Sequence, residues 1–206
     1  MLSTLLAFLG ACTLIAASPG PSTVLIIKQS LRSRRSGFLT VLGNETGVFI
    51  WGVVAAFGLT ALLAASEMAY HVMRIVGAVV LVGFGVQTLR QARRSKGAVD
   101  GGWEGAERSG WASYRGGLLL NLANPKAAIF AMSFLPQFVP EGAPHLPTMV
   151  GLAALWAVYE VGYYGLYVWF VGRMKAVLSR TGVRRRLEQV SGGVLLLLGA
   201  RLALES

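Results

Sequence analysis

Apolar residues run along this chain in about six long stretches, near Leu2 to Ile27, Phe38 to Ala65, Val72 to Leu89, Tyr114 to Val139, Leu146 to Val171 and Val190 to Leu204. Each approaches the roughly 20 consecutive apolar residues that a helix needs to cross the hydrocarbon core of a bilayer. The pattern predicts an all-α integral membrane protein with six transmembrane helices. The connections are short apart from one polar segment from Arg90 to Ser113, rich in Gly, Arg and Glu, which cannot bury apolar area and reads as a flexible loop. The chain reads as a single membrane domain over 1–206, with a first half over about 1–89, a loop over 90–113 and a second half over 114–206.

Two of the stretches are interrupted in the same way. Ser18-Pro19-Gly20-Pro21 breaks the first, and Asn124-Pro125-Lys126 breaks the fourth. In each, a residue that favours helix N-caps (Ser18, Asn124) stands before a proline, which suits the first helical position because its missing N–H would have no partner there. Each break therefore reads as the start of a half-helix inside an apolar run. Broken helices at corresponding places in two halves of a membrane protein point to a transporter's binding site.

A weak internal repeat agrees with that pairing. Laying Ser18-Pro19 over Asn124-Pro125 aligns the first span with the fourth. The second pair then matches Glu45-Thr46-Gly47-Val48-Phe49 to Glu160-Val161-Gly162-Tyr163-Tyr164 with a gap of about nine residues, and the third pair shares Gly77-Ala78-Val79 and Gly192-Gly193-Val194. With three spans in each half, the halves of such a repeat are inverted in the membrane.

Composition supports the class and charge sets the topology. Hydrophobic residues make up 54% of the chain and charged ones 14%, with a mean hydropathy of +0.60, which is too apolar for a soluble domain of this size. The net charge of +10 is concentrated in three connections: Lys28 to Arg35, Arg90 to Arg115, and Arg173 to Arg186. Arg74 and Arg201 are the only basic residues near the opposite face, beside Glu67, Glu141 and Glu205. By the positive-inside rule the three basic connections are cytoplasmic and both termini face outward. The charge is thus topological, and a nucleic-acid partner is not expected. Pro19 precedes Lys28 by nine residues and Pro125 follows Arg115 by ten, so at 1.5 Å per residue both breaks lie roughly 13–15 Å from the cytoplasmic face, near the midplane. The two half-helices then start near one another and present unpaired N–H groups and positive dipole ends, suited to a carboxylate.

Three motifs in order carry a family resemblance: Pro19-Gly20-Pro21, Asn124-Pro125-Lys126-Ala127, and Phe134-Leu135-Pro136-Gln137-Phe138. With the length, the six spans and the long loop after the third, the chain resembles the lysine exporter / homoserine-threonine exporter (LysE/RhtB) family of bacterial amino-acid efflux proteins. The resemblance implies an inner-membrane exporter of amino acids or related metabolites, commonly by proton antiport, with no cofactor. In the second span, where mainly small apolar residues are expected, Asn44-Glu45 stands instead. That departure points to an altered substrate or altered coupling.

Ionisable residues inside a membrane are costly and become functional candidates by default. Glu45 and Glu160 could carry the coupling proton or hold a substrate ammonium group, and the glycine two residues after each, Gly47 and Gly162, permits close helix approach. Against this, Glu45 could snorkel to the interface, or either acid could pair with Lys126. Lys126 occupies the first turn of a half-helix, a poor place for a cation unless an anion is near. A substrate carboxylate would suit it, and so would a stem stretched to the headgroups. Tyr159, Tyr163, Tyr164 and Tyr167 give the fifth span a polar aromatic face that either lines a path or packs. The candidate substrate-binding residues are Ser18, Pro19, Gly20, Pro21, Asn124, Pro125, Lys126 and Tyr163, and the candidate ion-coupling residues are Glu45 and Glu160.

The remaining features read as scaffold. Gly43 and Gly47 form a small-xxx-small pair, and Gly77, Gly83, Gly85, Gly192, Gly193 and Gly199 suggest tight packing of the third and sixth spans, with room for a homodimer. Leu9-Gly10-Ala11-Cys12 resembles a lipoprotein cleavage box, but no Lys or Arg precedes Lys28, so the first span is read as uncleaved. His71 and His145 stand far from any Cys or carboxylate cluster, so no metal site is expected. No nucleophile with a base is evident, which disfavours an intramembrane enzyme or assembly factor. A metal-ion exporter of the same superfamily would need His, Cys or Asp within the spans, where only Cys12 is found.

Overall fold

The computed structural model describes residues 2–18, 20–65 and 110–171, with scattered positions between 68 and 90 and between 182 and 200. Its elements are α1 (Leu2–Ala17), α2 (Pro21–Arg32), α3 (Arg34–Ala65), α4 (Gly110–Leu122), α5 (Pro125–Phe134), a 3-10 turn over Leu135–Phe138, and α6 (His145–Trp169). No strand occurs among the described residues. The third and sixth expected spans, with Gly77, Gly85, Gly192 and Gly199, lie largely outside the described residues, and the positions described within those spans are helical.

Helices α3 and α6 are each long and apolar enough to cross a membrane. Helices α1 and α2 qualify only as a pair bent by 68°, and α4 and α5 as a pair bent by 60°. The first and fourth spans are therefore broken, as expected, but the first break is built differently. The Ser18 N–H donates to the carbonyls of Leu14 (3.1 Å) and Ile15 (3.2 Å), so Ser18 completes the last turn of α1. The N-cap of α2 is Gly20, in extended backbone, with Pro21 in the first turn. The capping role expected of Ser18 thus falls to Gly20, because α2 begins at Pro21, which supplies the ring that suits a helix start. Pro19 lies outside the described residues. At the second break the Asn124 carbonyl accepts from the N–H groups of Ala127 (3.1 Å) and Ala128 (3.4 Å), so Asn124 stands before α5 as expected and Pro125 begins it.

Two boundaries shift for local reasons. Helix α3 starts at Arg34, four residues before Phe38, because Ser33 ends α2 and caps α3, its Oγ accepting from the Ser36 N–H at 3.1 Å. Helix α4 starts at Gly110, inside the segment expected to be loop, where a side chain would strike Leu39 of α3 at 2.7 Å.

Side-chain contacts give the directions of the helices. Thr40 Oγ1 donates to the Ser113 carbonyl (3.3 Å) and Gly47 lies under Asn121, so α3 and α4 run parallel. Gly52 meets Ala153, and the Arg34 guanidinium lies 4.7 Å from the centre of the Trp169 ring, so α3 and α6 run antiparallel. Thr13 bonds Tyr159 (2.6 Å) and Tyr164 donates to the Ala16 carbonyl (3.2 Å), so α1 and α6 run parallel. The two broken spans therefore point in opposite directions, the relation that an inverted repeat requires.

Glycine sets the closeness of α3 to its neighbours. A methyl group at Gly43 would overlap the Tyr114 carbonyl of α4, and one at Gly117 would overlap the Thr40 carbonyl of α3, so the two backbones touch directly. Gly162 is different: it is exposed, and no described neighbour lies within 4 Å of a Cβ placed there. The same holds at Gly83 and Gly193 among the described residues. An aromatic core joins the remaining elements, with Phe8 of α1 stacked on Phe134 (5.4 Å) and Phe130 of α5 edge-on to Trp156 of α6 (5.2 Å). Cys12 is buried in this core. Outside it the usual order of a soluble protein is reversed: Phe57, Val158 and Leu166 are exposed while Asn44, Glu45, Asn121 and Glu160 are buried. This is the distribution that lipid selects.

Gly43→Ala is expected to destabilise the fold by about 1–3 kcal/mol, the usual cost of overpacking a tight contact. Gly58→Ala, with open space around Cβ, should be neutral or slightly stabilising. Thermal unfolding of the two purified variants in detergent checks the contrast.

Candidate functional site

The two breaks open onto one cavity. It measures about 510 Å³ with its open mouth included. Ser18 and the first residues of α2, from Gly20 to Thr23, form one wall, and Asn121, Asn124 and Ala127 form another. The unbroken helices close it, with Asn44 and Val48 from α3 and Trp156, Glu160 and Tyr164 from α6. The last three recur at every fourth residue, so they share one face of α6. No side chain caps α2. Its first N–H groups carry no intrahelical partner and form the positive end of the helix dipole, at the wall of the cavity.

A chain of polar side chains runs from the cavity into the protein. Asn121 Nδ2 donates to Asn44 Oδ1 (3.3 Å), and Asn44 Nδ2 donates to Glu45 Oε1 (2.8 Å). Glu45 is 2% exposed and does not line the cavity, so it does not snorkel to the interface. Its carboxyl group is an electrostatic neighbour of Glu160, which is 4% exposed and accepts from Trp156 Nε1 at 2.8 Å. Two acids that lie 115 positions apart in sequence thus meet beside the cavity. Among the described residues, Asn121 Oδ1 and Ser22 Oγ are buried without a hydrogen-bond partner.

Each break is bridged by a neighbouring unbroken helix. At the first, the Tyr164 hydroxyl of α6 donates to the Ala16 carbonyl at the end of α1 and lies against Thr23 at the start of α2. At the second, Trp51 Nε1 of α3 donates to the Asn121 carbonyl (3.4 Å), which also accepts the Asn124 N–H (2.9 Å).

The sequence candidates distribute as follows. Ser18, Gly20, Pro21, Asn124 and Glu160 line the cavity, and Glu45 stands behind Asn44. Tyr163 does not line it; its hydroxyl pairs with that of Tyr167 (3.1 Å), and Tyr164 takes the place expected of it. The side chains of Pro125 and Lys126 lie outside the described residues. Among the described residues no group of three or more His, Cys, Asp or Glu is placed to hold a metal ion.

Residues 13–206 match the family described as LysE type translocator. The chain belongs to that family. This LysE-type translocator is a membrane transporter and not an enzyme. It is 27% identical over 198 residues to the homoserine/homoserine lactone efflux protein of Salmonella typhimurium, covering 96% of this chain and 94% of that protein. It is 29% identical over 201 residues to the leucine efflux protein of Salmonella choleraesuis, covering 95% and 92%. It is 30% identical over 154 residues to the threonine efflux protein of Salmonella typhi, covering 74% and 71%. No solved structure matches it.

Asn121, Trp156 and Ser22 of the translocator were not singled out in the sequence, whereas Tyr164 was read there as part of the polar aromatic face. A signal existed for two of the three: Asn121 is an amide within an apolar run, and Trp156 stands one helical turn before Glu160. Ser22 becomes visible only once the start of α2 is fixed at Pro21.

Trp156→Phe keeps the aromatic contact with Phe130 and removes the donor to Glu160. The expected loss of stability is about 1–3 kcal/mol, the cost of stripping a buried acceptor of its donor. Thermal unfolding in detergent measures it, with Trp51→Phe, whose longer bond is only partly buried, expected to cost less.

Proposed function

We propose that this translocator exports a small amino acid or related zwitterion across the bacterial inner membrane in exchange for protons. Transport proceeds by alternating access around the cavity between the two breaks. The observation that carries the reading is the meeting of two half-helix starts with a buried acid at one cavity. The uncapped start of α2 suits a substrate carboxylate, and Glu160 on the facing helix suits its ammonium group. The efflux names of the relatives supply the substrate class: homoserine and its lactone, leucine and threonine. Val48 and Phe130 offer a short substrate side chain an apolar wall.

In this reading the neighbouring acids Glu45 and Glu160 take up and release the exchanged proton. In the same reading the N-terminus of α3 and the C-terminus of α6, where the Arg34 guanidinium lies over the Trp169 ring, face the cytoplasm and both chain termini face outward, an orientation that the basic connections support.

Reconstituted vesicles loaded with labelled leucine, threonine or homoserine test the function. Efflux of at least one of them should accelerate when a pH gradient is imposed, and acceleration of none would overturn the reading. Glu160→Gln should reduce the rate with the gradient to the rate without it. An unchanged response would remove Glu160 from coupling.

A further inference from the structure

The cavity ends on aromatic rings. Phe130 of α5 and Trp156 of α6 line it and also belong to the aromatic core. Three helix faces that line the cavity continue into that core, turn after turn. On α1, Ile15 and Ala16 at the cavity are followed, toward the start of the chain, by Cys12 and then Phe8. On α5, Phe130 is followed by Phe134 and then by Phe138 of the 3-10 turn. On α6, Glu160 and Trp156 are followed by Ala153 and Met149. The core therefore fills the continuation of the cavity toward the starts of α1 and α6.

The helices around this core are held unequally. Glycines press α3 onto α4 at Gly43 and Gly47 and onto α6 at Gly52. Gly10 of α1, by contrast, is exposed, and no described neighbour lies within 4 Å of a Cβ placed there. Helix α1 meets its neighbours through side chains. Phe8 is stacked on Phe134 (5.4 Å) and edge-on to Phe138 (5.2 Å), and the Thr13 hydroxyl lies 2.6 Å from that of Tyr159 on α6. At its other end α1 stops at the first break, where the chain bends by 68° into α2 and Tyr164 holds the Ala16 carbonyl (3.2 Å). An interrupted hydrogen-bond ladder is where a helix bends most easily.

We propose that α1 is a door that pivots at the first break and is latched by the Thr13–Tyr159 pair, and that the space between α1, α5 and α6 is the exit half of the transport path. The proposal rests on the alternating-access reading above. With the door shut, the rings separate the cavity from the face that this reading places outside. When the door swings, Phe8 leaves Phe134 and Phe138, the two hydroxyls part, and the face of α1 that carries Cys12 meets water. The freed hydroxyls then bond to water, so the latch opens without leaving a polar group unpaired. The Tyr164 bond to Ala16 lies at the pivot and is kept. Helices α3, α4 and α6, packed backbone to backbone or through glycine, form the frame.

Two pairs of spin labels test the motion in the reconstituted full chain carrying Cys12→Ala. Leu5→Cys with Phe57→Cys spans α1 and α3, and Phe57→Cys with Val158→Cys spans α3 and α6; all three side chains are exposed. By double electron–electron resonance the first pair should give two distances and the second pair one. Tyr159→Phe keeps the ring and removes the latch, and should raise the ratio of the longer to the shorter distance about fivefold, as expected for one neutral hydrogen bond. Cys12 is the single cysteine of the chain and is buried, so it reports whether water enters the same space. In the chain with Cys12 intact, a water-soluble maleimide that does not cross the bilayer should label it faster in Tyr159→Phe by the same factor. A single distance between α1 and α3 in both chains overturns the door, as does a second distance between α3 and α6 or an unchanged ratio in Tyr159→Phe. A Cys12 that stays unlabelled while the longer distance is populated overturns the exit path. If distances and labelling behave as expected but leucine, threonine and homoserine are not exported, the substrate reading falls and the door stands.

Discussion

Backbone N–H and C=O groups have no water to turn to in the hydrocarbon of a bilayer, so every interruption of a membrane helix must be paired from within the protein or line a cavity. This chain carries two such interruptions, and most of its described structure is arranged around them. Tyr164 reaches from α6 to the ends of α1 and α2, and Trp51 reaches from α3 to the end of α4. The unbroken helices therefore do more than cross the membrane. They supply the side chains that make the broken ones tolerable, and the same side chains or their neighbours on the same faces form the walls of the cavity. Site and support are one set of residues seen from two sides.

Most of the fold was readable because membrane helices announce themselves by length and composition. The spans of α3 and α6 and the broken character of the first and fourth spans follow from apolar runs and from Pro beside Gly or Asn. The cap at the first break was not readable. Ser18 and Gly20 are both acceptable caps before a proline, and the choice depends on which proline begins α2, which no local pattern records. Gly47 and Gly162 show the same limit. Both follow an acid by two residues, yet one lies under Asn121 and the other faces open space. Which side of a helix a small residue serves is decided by the neighbour and not by the spacing.

The site itself was half readable. Glu45 and Glu160 stood out because a charge in an apolar run is costly, and the structure makes them neighbours. The amides that connect Glu45 to the cavity were less visible, since an Asn in a membrane helix is a weaker anomaly than an acid. Tyr163 and Tyr164 differ by one position and therefore by about a hundred degrees around the helix. One residue in register therefore separates a cavity residue from one that pairs with Tyr167.

Where α3 and α4 meet at Gly43 and Gly117, main chain rests on main chain with no side chain between. A contact of that kind has almost no slack, because a shift of one residue along either helix would drive a side chain into the opposing backbone. The helices it joins come from different halves of the sequence. Any large rearrangement must carry them as one stiff plank, so the mechanical seam of the molecule runs elsewhere than between its two sequence halves.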